Sequence, residues 1–240
     1  MLGRMPERPP LVVAVAQPPC VAGDVAANAR AHAEAVRSAR ARVVVFPELS
    51  LTGYELDAPP LATEDARLAP LVAACGDTGC IALAGAPVQD GGDALHIAVL
   101  AVTGNGARIA YRKMWLGGDE TRRFTPGPSP AVLEVDGWRL GLAVCKDTGV
   151  AQHAADTAAL GIDAYVAGAV DEAQDVQVQA DRALRTARQH HVWVATASFA
   201  GPTGGGYALT AGCSAIWSPG GALVAQAGPH AGDLARATLC

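Results

Sequence analysis

Val43-Val44-Val45-Phe46-Pro47-Glu48-Leu49-Ser50-Leu51-Thr52-Gly53-Tyr54 opens with four apolar residues, three of them β-branched, before a proline. Such a run predicts a buried strand over residues 43–46, ended by Pro47. On its N-terminal side, residues 23–40 read as an Ala-rich helix starting near Asp24, a residue suited to capping. Residues 11–16 read as a further buried strand. Strand, helix and strand in that order point to an α/β layered domain.

A helix is expected over 64–75, and strands over 81–87, 94–102 and 107–111, with turns at Gly91-Gly92 and Gly104-Asn105-Gly106. Residues 117–130, rich in Gly, Pro and polar side chains, read as a long loop. Residues 131–135 and 138–145 form a predicted hairpin about Asp136-Gly137. A helix through 158, a strand at 164–167, a helix over 174–190 and a strand at 192–197 follow. After a flexible loop at 201–206, strands near 213–217, 222–225 and 234–237 close the chain. With no repeat or linker, the expected organisation is one domain over 11–240 behind a flexible N-terminal segment, 1–10.

Composition narrows the function classes. Half of the 240 residues are hydrophobic and 17% are charged, which argues against general disorder. A net charge of −5 and the lack of any Lys/Arg-rich run argue against nucleic acid as a partner. No apolar stretch is long enough for a membrane span or, before Leu11, for a signal peptide. Cys75 and Cys80 have no second pair to complete a zinc site, so no metal is expected. The expectation is a soluble cytoplasmic protein in a reducing compartment.

Three side chains carry the chemistry. Cys145 closes Trp138-Arg139-Leu140-Gly141-Leu142-Ala143-Val144-Cys145. A lone cysteine is by default a structural residue, but this one ends a strand where the text turns abruptly to Lys146-Asp147-Thr148-Gly149. A nucleophile on a strand-to-helix turn projects from the sheet near free backbone N–H groups. Its ordinary pKa near 8.5 means that it needs a base or positive surroundings. Glu48 follows an apolar run, where burial should raise its pKa toward the range of a general base. Lys113 ends Tyr111-Arg112-Lys113, and the apolar Met114-Trp115-Leu116 behind it can help exclude water.

The string Phe46–Tyr54 with Tyr111-Arg112-Lys113 and Cys145 resembles the nitrilase superfamily of carbon–nitrogen hydrolases, and the resemblance runs from about Leu11 to Leu239. It implies a four-layer α-β-β-α sandwich of two mixed sheets, a Glu48-Lys113-Cys145 triad, a homodimer, and neither metal nor organic cofactor. It also implies that Glu120, four residues before Phe124 in a segment ending Pro126-Gly127, orients Lys113 and the substrate. The backbone N–H of Lys146 would share the oxyanion with Lys113, and Trp115 would line the substrate's path. The expected reaction is hydrolysis of a small amide through a cysteine thioester.

Departures from the family pattern bear on substrate. Cys145-Lys146-Asp147 replaces the frequent Cys-Tyr-Asp and the Cys-Trp-Glu of true nitrilases, making amide the expected substrate rather than nitrile. Two alternatives stay open: hydrolysis of an N-carbamoyl compound, and a catalytically silent binding or scaffold member. His153 raises a Cys-His dyad as a rival, His190 and His191 read as helix-terminal residues, and Asp171-Glu172 suggests an acidic pocket wall suited to amines.

Overall fold

A computed structural model describes residues 8–89 and 91–240. Of the expected flexible segment 1–10, residues 1–7 lie outside the described residues. Arg8 and Pro9 are held in place: the Arg8 guanidinium stacks 3.6 Å over the Trp138 ring and pairs with Asp163 at 2.6 Å, while Trp138 Nε1 donates to the Pro9 carbonyl at 2.9 Å.

In chain order the elements are β1 (Leu11–Ala16), α1 (Val25–Ala39), β2 (Val43–Val45), α2 (Ala69–Thr78), β3 (Ile81–Gln89), β4 (Leu95–Thr103), β5 (Gly106–Arg112), β6 (Val132–Val135) and β7 (Trp138–Val144). There follow α3 (Lys146–Gly149), α4 (Ala151–Ala159), β8 (Ala164–Ala169), α5 (Val176–His190), β9 (Trp193–Ser198), β10 (Ala200–Gly201), β11 (Thr210–Ala211), β12 (Ala215–Trp217), β13 (Leu223–Gln226) and β14 (Leu234–Leu239). Two six-stranded mixed sheets result, ordered β14-β1-β2-β3-β4-β5 and β13-β12-β9-β8-β7-β6. Their centres are parallel: β1, β2 and β3 in the first, β7, β8 and β9 in the second.

Alternation along the strands builds the layers. Val43 and Val45 of β2 enter the core between the sheets, whereas Val44 faces the opposite way, toward α1 and α2. On the second sheet, Ala143, Tyr165 and Ala167 meet α4 and α5. The order α1/α2, sheet, sheet, α4/α5 is the four-layer sandwich.

Local differences from the sequence reading have local causes. The expected helix over 64–75 begins later, because Asp65 caps a 3₁₀ turn by accepting from Arg67 N, and Pro70 sits in the first turn of α2. It also runs further, to Thr78, and is capped by Gly79, whose φ of +67° is left-handed. The helix after Cys145 is broken at Val150, which is extended and separates α3 from α4. The β10–β11 ribbon flanks the expected flexible loop; two-residue strands have no period to read.

Candidate active site

Glu48, Lys113 and Cys145 arrive from three strand ends. β2 stops at Val45, and Phe46 and Pro47 carry the chain to Glu48. β5 ends at Arg112, one residue before Lys113. β7 ends at Val144, one residue before Cys145. β2 and β5 belong to one sheet and β7 to the other, so the three side chains meet where the sheets face each other.

The Glu48 segment fits there because both sheets supply a glycine. A Cβ at Gly85 on β3 would lie 2.2 Å from Leu49 N, and one at Gly168 on β8 would lie 2.5 Å from the Phe46 carbonyl oxygen. Buried polar groups brace the segment from the α1 side. His32 Nδ1 lies 2.6 Å from the Asn28 carbonyl and Nε2 2.8 Å from Ser50 Oγ. Asn28 Nδ2 donates to the Leu51 carbonyl at 3.1 Å.

Lys113 is a buried hub. Its Nζ lies 2.6 Å from Glu48 Oε1 and 2.8 Å from each oxygen of Glu120. Glu120, 3% exposed on a 3₁₀ turn (Gly118–Arg122), also accepts from Tyr54 Oη at 2.9 Å and from Gly117 N at 2.7 Å. An ammonium has three N–H donors. All three are within reach of carboxylate oxygens, one on Glu48 and two on Glu120, where Lys113 lines the cleft.

Cys145 has φ +42° and ψ −98°, a strained conformation for a non-glycine residue. The strain is held by its N–H on the Gly168 carbonyl at 2.9 Å, and by Thr148 N and Oγ1 donating to its carbonyl at 2.9 and 2.7 Å. The thiol donates to the Val170 carbonyl at 3.3 Å. Behind the turn, Asp147 is fully buried. One oxygen accepts from Val144 N and Tyr111 Oη at 2.9 and 2.7 Å, and the other from Trp115 N at 2.9 Å.

Burial and charge set the protonation states. Burial pushes Glu48 up to about 8; the Lys113 charge opposes this and the Glu120 charge adds to it. Burial also raises the Cys145 thiol well above its ordinary value, helped by Glu48 and opposed by Lys113. Burial alone would depress Lys113, but Glu48, Cys145 and Glu120 outweigh it and hold the ammonium charged. The resting sulfur is therefore a thiol beside a carboxylate able to take its proton. Glu48 Oε2 is buried with no hydrogen bond of full geometry among the described residues, while the Cys145 thiol is a hydrogen-bonding neighbour that lowers the carboxyl's pKa.

A cleft of about 370 Å³ opens onto this cluster, with Lys113, Glu120, Cys145 and Lys146 in its lining. Trp115 does not line it: with its N–H taken by Asp147, its side chain is 41% exposed outside the cleft. Asp171 does line it, but its carboxylate pairs with Arg182 at 3.1 Å, and Glu172 is exposed and bonded to Gln174. His153 is not a partner for the sulfur. It is buried between Tyr111 Oη and Tyr165 Oη, each at 2.8 Å. His191 caps α5 in a left-handed conformation.

Sequence reasoning quoted Tyr54 and Asp147 but gave neither a role: Tyr54 closes the string that holds Glu48, and Asp147 stands two residues after the cysteine. Among the described residues, no group of three or more His, Cys, Asp or Glu side chains could hold a metal ion, and no helix is long and apolar enough to cross a membrane. All six cysteines are free.

Residues 12–239 match the family model described as carbon-nitrogen hydrolase. A hydrolase in the pqqF 5′ region of Pseudomonas protegens is 29% identical over 219 residues, 85% of this chain and 74% of that protein. A glutamine-dependent NAD(+) synthetase of Xylella fastidiosa is 32% identical over 173 residues, 64% of this chain but 30% of the synthetase. Among solved structures, the Nesterenkonia AN1 amidase from the nitrilase superfamily superposes with a TM-score of 0.84 at 24% identity, covering 99% of this chain and 93% of the amidase. Saccharomyces cerevisiae Nit3, a member of branch 10 of the same superfamily, gives 0.83 at 20% identity over 96% and 90%.

Proposed function

The chain belongs to the carbon–nitrogen hydrolase family of the nitrilase superfamily, and on that premise we propose that it hydrolyses a small non-peptide amide through a thioester on Cys145. The observation that carries this reading is the 2.6 Å contact of Lys113 with Glu48 beside a thiol enclosed in the same cleft.

Glu48 takes the thiol proton as the sulfur attacks the carbonyl carbon. The carbonyl oxygen gains negative charge opposite the Lys113 ammonium and the backbone N–H of Lys146, which opens α3 and so has no intrahelical acceptor. The carbon–nitrogen bond breaks as Glu48 returns the proton to the departing amine or ammonia. Water then gives a proton to Glu48 and attacks the thioester; collapse releases the acid and restores the thiol. Glu120 holds the Lys113 ammonium in register throughout. Losing one oxyanion donor in such a site costs about 2.7–4 kcal/mol of barrier stabilisation.

The test combines intact mass with product analysis. A panel of small amides, nitriles and N-carbamoyl compounds is incubated with the protein, and both the acyl adduct and the released ammonia are measured. An adduct on Cys145 that is absent in Cys145→Ala, with an acid as product, supports the reading. Turnover by a folded Cys145→Ala protein would falsify it.

A further inference from the structure

We infer that His153 is a positioning residue for the nucleophile: its ring donates through Nε2 to Tyr111 and so orders the Tyr111–Asp147 pair that sets the Cys145 turn against Lys113. The catalytic consequence rests on the hydrolase reading; the proton arrangement does not.

His153 is fully buried on α4 and has no part in the lining of the cleft. An imidazole enclosed in this way needs a partner for each nitrogen. Two phenols supply them. Tyr111 Oη lies 2.8 Å from Nε2 and Tyr165 Oη 2.8 Å from Nδ1, with both rings edge-on to the imidazole at centroid distances of 5.9 and 5.8 Å. Asp147 is out of direct reach, 3.9 Å from Nε2.

Proton counting fixes the direction of each bond. Val144 N and Trp115 N each donate to one oxygen of Asp147, the arrangement of an ionised carboxylate. Tyr111 has a single hydroxyl proton, and Asp147 Oδ2 takes it at 2.7 Å, because a carboxylate only accepts. Toward His153 the Tyr111 oxygen can then only accept, so Nε2 carries the ring proton. Burial lowers the pKa of His153, while Asp147 and Asp156 oppose this. A neutral ring has one N–H, which leaves Nδ1 to accept from the Tyr165 hydroxyl. Tyr165 to His153, His153 to Tyr111 and Tyr111 to Asp147 therefore form one directed relay from the second sheet's outer face.

The relay ends where placement matters. Asp147 holds Val144 N, just before the strained Cys145, and Trp115 N, two residues past Lys113. Without the Nε2 donor, only Met114 N, at 3.3 Å, steers the Tyr111 hydroxyl toward Asp147.

The experiment separates the two ring nitrogens. His153→Gln keeps a donor at the Nε2 position, whereas His153→Asn keeps only the Nδ1 position. Each variant is assayed for kcat and KM on an amide that the parent turns over, for alkylation of Cys145 by iodoacetamide at pH 7, and for melting temperature. His153→Asn should lower kcat about tenfold or more and slow alkylation, with KM within about twofold. His153→Gln should stay within about threefold of the parent in both rates. The two should lose comparable melting temperature. Nitrogen-15 NMR of the parent should show the neutral Nε2–H tautomer at pH 7, a readout that stands whether or not either variant folds. An Nδ1–H tautomer or an imidazolium overturns the inference, as does an Asn variant as fast as the parent or a Gln variant as slow as the Asn one. Absence of turnover and of an acyl adduct with every amide removes the hydrolase reading instead; the tautomer and the alkylation rates still judge His153.

Discussion

The Tyr54 hydroxyl donates to Glu120 at 2.9 Å across 66 residues of chain, tying the loop after β2 to the turn after β5. Glu120 in turn holds the Lys113 ammonium, so Tyr54 acts on the site through a carboxylate it never leaves. Tyr54→Phe removes one bond to a charged acceptor, worth about 1.5–3 kcal/mol. We expect kcat to fall at least about tenfold, with little change in melting temperature. An unchanged kcat would show that Glu120 is held well enough by Gly117 N and Lys113.

The rate should climb with pH. Glu48 must be ionised to take the thiol proton, and burial pushes its pKa up to about 8. The logarithm of kcat/KM should therefore rise with unit slope and level off near that value. Stability moves in the opposite sense. The folded pKa lies above the ordinary 4.5, so between these values the folded protein keeps a proton that the unfolded chain has lost. The contribution is full below about pH 4.5 and is lost as pH rises to about 8. Glu48→Gln should abolish the rate and flatten this fall, as read by urea unfolding across the range.

His32 has the reverse sign. Burial lowers it from 6.5 to about 4. The unfolded chain binds its proton first as pH falls, so stability is full above 6.5 and is lost on the way down to about 4. His32→Gln should melt at a lower temperature at pH 7, because the Ser50 and Asn28 contacts are weakened. Its melting temperature should change less than that of the parent between pH 6.5 and 4.

Gly85→Ala should be severe. A Cβ 2.2 Å from Leu49 N cannot be relieved by a rotamer change, because the neighbour is backbone. Overpacking of this kind costs about 1–3 kcal/mol or more. Gly92→Ala, where a Cβ meets nothing within 4 Å, is the control and should stay within about 0.5 kcal/mol. Denaturant midpoints compare them directly.

Much of this molecule was legible in its text, for reasons that differ by residue. Val43-Val44-Val45 is apolar at every position because β2 is covered on both faces, and the strand–helix–strand order around it led to the layers. Glu48 and Cys145 stood out because each interrupts an apolar run at a strand's end. Trp115 was misplaced because side-chain chemistry does not reveal direction; that depends on its N–H meeting Asp147, 32 residues away. Asp171 was noticed, but its partner Arg182 reaches it only when β8 and α5 pack, and a helical arginine carries no local mark of that.

Asp147 accepts from Trp115, which follows a strand of one sheet, and from Val144, which ends a strand of the other. The gap between sulfur and ammonium is thus gauged by a group that never meets the reactants. Loss of this single carboxylate would strand the Tyr111 hydroxyl and the N–H groups of Trp115 and Val144 and unfasten one sheet end from the other beside the sulfur.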